Sequence, residues 1–318
     1  MKPGKVSENV YNRSIHKHVK ENQRITKGAE LDCALFACQT MSLPVAETLL
    51  MRHTLYAGFN DLYAKGATPR TVSIAITLAE RTREIKLSNM MEEAVSICNE
   101  LGVTIVSGHT QISESVKCPV ISVMVTGEKN PVSSPKEKKS PVGYDIVVTK
   151  YIGMEGASLI ASKKEDMLRG RFPKALVEEV KGFEKYLSIL PEAATAIKSG
   201  AGLMTDIREG GIFASLWELS KLAGTGLTID IKKIPMKQSI VEICNYLQIN
   251  PYELLSTGSL LLAVEDGEAL TEELLSMDIP AAVIGKLTDS NDKVIVNDEE
   301  IRYLDLPKPD QIREIIKE

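Results

Sequence analysis

Residues 128–143 restrict the fold more than any other stretch of the chain, because they carry three prolines and four lysines with no apolar periodicity. Proline lacks a backbone donor and pushes the residue before it out of the helical region, so such a stretch suits neither a central strand nor a packed helix. It reads as a connection between two halves, each closing a core of its own. A length of 318 residues is long for one core and comfortable for two. The predicted units are residues 1–140 and 141–318.

Hydrophobic spacing fills in both halves. In the first, residues 31–37 form a short apolar run that fits a buried strand, and 44–63 read as a helix opened by Pro44. Residues 71–78 alternate and are β-branched, which predicts a strand. Met90, Ala94, Ile97, Cys98 and Leu101 share one face of a helix over 89–101, with Gly102 as its C-terminal cap. Strands follow at 103–106 and 120–126. The second half predicts a strand at 144–149, a turn at Gly153 and Gly156, and a helix reaching Ala161. Helices are expected at 173–187, 191–199, 212–222, 239–247 and 268–276. Strands are expected at 203–206, 227–231, 259–264, 281–287 and 293–296. Helices and strands mix without the strict alternation of a doubly wound sheet, so the fold class is α+β, or loosely α/β.

Composition narrows the partners. A net charge of −5 and 5% aromatic residues argue against a general nucleic-acid or membrane-surface binder. No stretch approaches the roughly 20 apolar residues of a bilayer-spanning helix. Residues 1–20 are polar and lack the apolar centre of a secretory signal. Five scattered cysteines suit reduced thiols, and a cytoplasmic location is expected. Cys33 and Cys38 are a close pair with no second pair or histidine nearby, and read as small core residues rather than as zinc ligands.

No Walker A, dinucleotide-binding or nucleophile-elbow pattern is present in the sequence. Chemistry must come from junctions of small residues with acids. Asp61 follows Asn60 late in the first helix and could offer oxygens to a divalent cation, or be a solvated acid. Ser107-Gly108-His109-Thr110 comes directly after a strand: the glycine admits a ligand to the backbone, and the Thr110 hydroxyl can meet a phosphate. A lone histidine such as His109 is more often a surface group. Asp206-Ile207-Arg208-Glu209-Gly210-Gly211 places an acid at a strand end before a glycine-opened helix, whose free N–H groups can receive an anion. A ligand-free strand-to-helix turn explains those residues equally well. Lys150 and Glu155 form a fourth junction, for which an ion pair is the alternative.

Taken in order, these junctions resemble the PurM-like superfamily of aminoimidazole ribonucleotide synthetase, thiamine-monophosphate kinase, selenophosphate synthetase and the hydrogenase-maturation carbamoyl dehydratase. The branch called aminoimidazole-ribonucleotide-synthetase-related or hydrogenase-maturation-factor-like proteins looks closest. The similarity runs from Met1-Lys-Pro-Gly-Lys5 through Asn60-Asp61-Leu62, Ser107–Thr110, Asp145–Lys150 with Glu155-Gly156, Asp206 with Glu209-Gly210-Gly211, and Ser256-x-Gly258. It implies a two-domain fold, a homodimer joined through the first sheet, and ATP with Mg2+ in a cleft between domains. It further implies transfer of the γ-phosphoryl group to a carbonyl- or amide-type oxygen of an unidentified acceptor. Carried over by motif, Asp32, Asp61 and Asp206 would hold the metal. Asp206 and His109 would serve the chemistry. Lys5, Asn60, Gly108, Thr110, Lys150, Glu155, Gly210 and Gly211 would surround the nucleotide.

The chain departs from that pattern. Relatives usually carry paired aspartates where this one has Leu31-Asp32, and another acid where it reads Ala37-Cys38-Gln39-Thr40-Met41. The usual Gly-Gly-Asp-Thr is Ser107-Gly108-His109-Thr110 here, and the usual Asp-x-Thr-x-Gly-Gly has Arg208 in place of threonine. Each lost carboxylate removes an oxygen ligand, so metal affinity is expected to fall. The dehydratase also uses a C-terminal cysteine, whereas this sequence reads Ile315-Ile-Lys-Glu318 and its last cysteine is Cys244, so that activity is not expected. The alternative is a non-catalytic nucleotide-binding homodimer acting as a sensor or maturation partner.

Overall fold

The structure is a computed structural model that describes residues 8–11, 13–14, 34–129 and 140–317. The first half contains β1 (Ala34–Met41), α1 (Glu47–Ala64), β2 (Ala67–Ala79), α2 (Glu84–Leu101), β3 (Thr104–Ser113) and β4 (Val120–Lys129). Its strands lie in the order β1-β4-β2-β3, with β2 and β3 parallel and the other pairs antiparallel. Because successive side chains in a strand point to opposite faces, Val72, Ile74, Ile76 and Leu78 of β2 and Ile121, Val123 and Val125 of β4 enter one core beneath α1. The opposite face exposes Phe36 and Met124 among hydroxyl pairs such as Thr40–Ser122 and Thr71–Thr126. Gly58 sits inside α1 because a Cβ there would come within 2.8 Å of a Val125 methyl, so a helix-weakening residue is the condition for close helix–sheet packing.

The second half adds β5 (Asp145–Thr149), α3 (Met154–Lys163), α4 (Glu165–Arg169), α5 (Lys174–Lys181), α6 (Leu190–Lys198), β6 (Leu203–Asp206), α7 (Gly211–Ala223) and β7 (Gly226–Asp230). These are followed by α8 (Gln238–Leu247), β8 (Leu260–Val264), α9 (Gly267–Ser276), β9 (Ala281–Thr288), β10 (Lys293–Asn297), β11 (Glu300–Tyr303) and α10 (Ile312–Ile315). The sheet order is β11-β10-β7-β9-β5-β8-β6. Every residue of β5 and β8 is buried, as expected for strands covered on both faces. One face packs Ile146, Val148 and Leu261 against Ile212, Leu216 and Leu219 of α7. The other carries Val147, Leu260 and Leu262, and its core continues without a break into Leu50, Met51 and Leu55 of α1. The two halves therefore share apolar packing. Among the described residues no helix is long and apolar enough to cross a membrane.

Five expectations change. Ser107–Thr110 do not follow a strand but lie within β3, an edge strand whose side chains are almost all solvated and so show no alternation. Gly156 is inside α3 rather than in a turn, pressed against Leu254 where a larger residue would clash. The expected helix over 173–187 stops at Lys181 and tightens into a 3-10 segment, Gly182–Tyr186, which aims the Tyr186 carbonyl at Lys150. β11 was not anticipated, because all four of its residues are exposed. Of the run at 31–37, residues 31–33 lie outside the described residues, and the rest is not a buried strand: Phe36 and Cys38 are exposed on the outer face of β1, so Cys38 is not a core residue.

Candidate functional site

The site lies where α1 of the first half meets β6 of the second. β6 ends at Asp206, whose side chain is 2% exposed, and Arg208 Nε stands 2.9 Å from Asp206 Oδ2. Burial pushes the Asp206 carboxyl up to about 6; Arg208 opposes that rise, and the nearby charge of Asp61 adds to it. Burial also works against the charge on Arg208, but the fields of Asp206, Asp61, Glu218 and Glu155 outweigh it and raise its pKa. Asp61 Oδ2 is bonded to Lys65 Nζ at 2.9 Å, one helical turn later. Asp61 is near enough for its charge to act on Asp206, and each acid is already joined to a cation of the chain.

That pairing decides the fit of a divalent ion. Magnesium takes near-octahedral oxygen ligands and favours carboxylates whose charge is available. Among the described residues no group of three or more His, Cys, Asp or Glu side chains is assembled to hold a metal. Asp61 and Asp206, bonded to Lys65 and Arg208, do not form such a donor set. The other proposed ligand, Asp32, and the proposed phosphate contact Lys5 lie outside the described residues.

Gly210 and Gly211 adopt φ of 87° and 62°, and a Cβ on Gly211 would collide with the backbone at Tyr252 and Leu254. Their amides are engaged within the chain: Gly210 N–H donates to Asp310 Oδ2 at 2.7 Å, and Gly211 N–H to the Arg208 carbonyl at 2.9 Å. Asp310 Oδ1 accepts from Ile312 N–H at 2.9 Å, and burial pushes this carboxyl up to about 7. Beside it, Arg313 Nε donates to Glu209 Oε1 at 3.0 Å. Sequence reading missed this C-terminal strap. Its only signal is an aspartate placed between a proline-rich stretch and an apolar turn, as an N-capping residue would be.

Asn60, Lys150 and Glu155 converge on a polar seam between the halves. Asn60 Nδ2 donates to the Leu187 carbonyl at 2.7 Å, and Asn60 Oδ1 accepts from Ile189 N–H at 3.2 Å. Lys150 Nζ donates to the carbonyls of Tyr186, Ser188 and Gly258 at 3.2, 2.6 and 2.9 Å, and pairs with buried Glu192. Burial lowers the Lys150 pKa and raises that of Glu192. Glu155 Oε1 meets His53 Nδ1, and Glu155 Oε2 accepts from Thr257 N–H at 2.9 Å. The polar atoms of these three side chains are committed within the chain, to segments 186–189 and 256–258 and to His53 and Glu192.

Gly108, His109 and Thr110 are exposed on β3, which packs against α2. Gly108 pairs with Ile74, and a Cβ there would strike the Ile74 carbonyl. His109 pairs with Ala75 on the outer face of the sheet. Thr110 lines a shallow depression with Leu78, Leu87 and Ile112. The chain's own packing gathers Asp61, Asp206 and Arg208 at the α1–β6 contact, and leaves these three residues on an open strand.

Residues 52–128 match the family described as AIR synthase related protein, N-terminal domain, and residues 141–297 match its C-terminal domain. A protein of Methanocaldococcus jannaschii named for hydrogenase expression and formation is 26% identical over 260 residues, which is 80% of this chain and 75% of that protein. The carbamoyl dehydratase HypE of Rhodobacter capsulatus is 26% identical over 212 residues, so the match spans 66% of this chain but 60% of the dehydratase. Among solved structures, the hydrogenase maturation protein HypE in complex with ATP superposes with a TM-score of 0.70 at 19% identity, over 87% of each chain.

Proposed function

The chain belongs to the AIR synthase related family, and on that premise we propose that it binds ATP and uses it to activate a carbonyl- or amide-type oxygen. The acceptor would be a small molecule or a group carried on a protein. The observation that carries the reading is the meeting of Asp61, Asp206 and Arg208 at the end of β6, next to a glycine-opened helix and at the joint between halves. A phosphoryl transfer asks a protein chiefly for positioning and for balanced charge, which a buried, charge-paired strand end can supply. The acceptor oxygen would bond to the γ-phosphorus as the bond to the β,γ-bridging oxygen breaks and ADP leaves. A nucleophile would then displace phosphate from the activated carbon. The ATP complex of one structural relative and the dehydratase name of one sequence relative support this direction.

A homodimer fits the same reading, because the outer face of the first sheet exposes Phe36 and Met124 beside a ladder of hydroxyls. A non-catalytic nucleotide-binding homodimer is the second reading, favoured by the pairing of both assigned carboxylates with lysine and arginine. Thermal midpoints with and without ATP, followed by phosphate release with and without a carbamoyl-type acceptor, separate the two. ATP should raise the midpoint in either case. Acceptor-dependent release that falls at least about tenfold in Asp206→Asn supports the enzyme, and stabilisation without release supports the binder. No response to ATP under any condition would sink both.

A further inference from the structure

We propose that the Arg208 guanidinium at Asp206 and the Lys65 ammonium at Asp61 stand in for the divalent cation expected at those two carboxylates, so that nucleotide binding here does not depend on a metal. The inference rests on the ATP reading above and concerns its cation requirement. A divalent ion bridging two carboxylates brings two positive charges. Here the same two carboxylates meet two positive charges that are part of the chain: Arg208 Nε at 2.9 Å from Asp206 Oδ2, and Lys65 Nζ at 2.9 Å from Asp61 Oδ2.

Geometry makes the guanidinium hard to displace. Asp206 is almost wholly buried, and its Oδ2 finds no hydrogen-bond partner among the described residues, so its compensation there is the ionic contact with Arg208. Removing one partner of a buried pair leaves an uncompensated charge, which is far more costly than breaking a surface pair. Four carboxylates, Asp206, Asp61, Glu218 and Glu155, act on this one guanidinium. Its ionic contact with Asp206 uses Nε, which leaves the edge formed by the two terminal nitrogens outside that contact. That edge can grip two oxygens of a phosphate at once, as a lysine cannot. The family pattern places threonine where Arg208 stands, so Arg208→Thr opens the position to an ion.

The test uses the full chain and magnesium alone, then ATP in EDTA against ATP in magnesium, read as thermal midpoint and as apparent Kd by titration calorimetry. Wild-type protein should show no saturable response to magnesium alone, and its ATP affinity should change by less than about threefold between EDTA and magnesium. Arg208→Thr should gain a magnesium response, and its ATP affinity should fall by about tenfold or more when the metal is removed. A saturable magnesium response in the wild type, or ATP binding that needs magnesium, overturns the inference and leaves the ATP reading standing. Absence of ATP binding in both buffers overturns both. A folded Arg208→Thr that behaves as wild type overturns the role of Arg208. If that variant does not fold, the wild-type comparison decides alone.

Discussion

His53 Nδ1 and Glu155 Oε1 lie 2.7 Å apart with neither side chain reached by solvent, one on α1 of the first half and the other on α3 of the second. Glu155 also accepts from Thr257 N–H, so this contact ties three segments together. His53→Ala strands a buried carboxylate oxygen and should cost about 3 kcal/mol or more in urea unfolding. Because the residues act as a unit, the loss in a His53→Ala, Glu155→Gln double variant should fall short of the summed single losses by about 1 kcal/mol. Strict additivity would show that the pair does not couple the halves.

Lys150 is held at φ 54°, a left-handed conformation that costs a non-glycine residue about 1 kcal/mol or more. Its ammonium offsets that strain by satisfying three carbonyls and Glu192. Lys150→Met should therefore lose about 3 kcal/mol or more, as a buried carboxylate loses its partner. Adding Glu192→Met should restore part of that loss, because the orphaned charge goes with it. A double variant less stable than Lys150→Met alone would contradict this account.

The fold was legible in the sequence wherever apolar spacing reported burial. α2, β2 and β4 lie against one core and keep their period, and Gly102 closes α2 at φ 66°, as a left-handed cap should; α1 is covered by both halves and buried nearly all round, so it shows no such period. β3 and β11 lack that signal because they are exposed edges. The candidate site divides along a similar line. The family resemblance assigned Asp61 and Asp206 to one site, but whether an acid is free or paired depends on a partner that spacing does not specify. Asn60, Lys150 and Glu155 look like ligand groups in one dimension, since a polar residue beside glycine has the same composition whether it meets a phosphate or a distant carbonyl. Asp310 was invisible because its partner, Gly210, lies one hundred residues away in the chain.

Asp310 gives a pH signature. Its carboxyl has an ordinary value near 3.8 and is pushed up to about 7 by burial. Between those values the native state holds a proton that the unfolded chain has released, so its contribution to stability is full below about 3.8 and is lost as pH rises through about 7. Wild-type stability should decline across this window more steeply than that of Asp310→Asn, measured by urea midpoints at a series of pH values. Asparagine keeps an acceptor for one of the two N–H groups and does not titrate. Parallel profiles for the two proteins would remove Asp310 from the pH dependence.

The outer face of the first sheet yields the last prediction. Phe36 is 58% exposed and Met124 49%, and Met124 lies across from Cys38 in register, so these residues share one surface with the Thr40–Ser122 and Thr71–Thr126 pairs. An apolar pair standing among mutually satisfied hydroxyls can be covered by a second copy at little polar cost, because those hydroxyls already have partners. A charge placed there would be stranded in a symmetric contact and would meet its own copy across the axis. Met124→Glu should therefore convert a dimer into a monomer in sedimentation, with a monomer unfolding transition still cooperative. Val95→Glu, an equally exposed apolar site on α2, should leave the mass unchanged. A wild type that sediments as a monomer at micromolar concentration, or a Met124→Glu protein that remains dimeric, would show that this face is not the one that pairs.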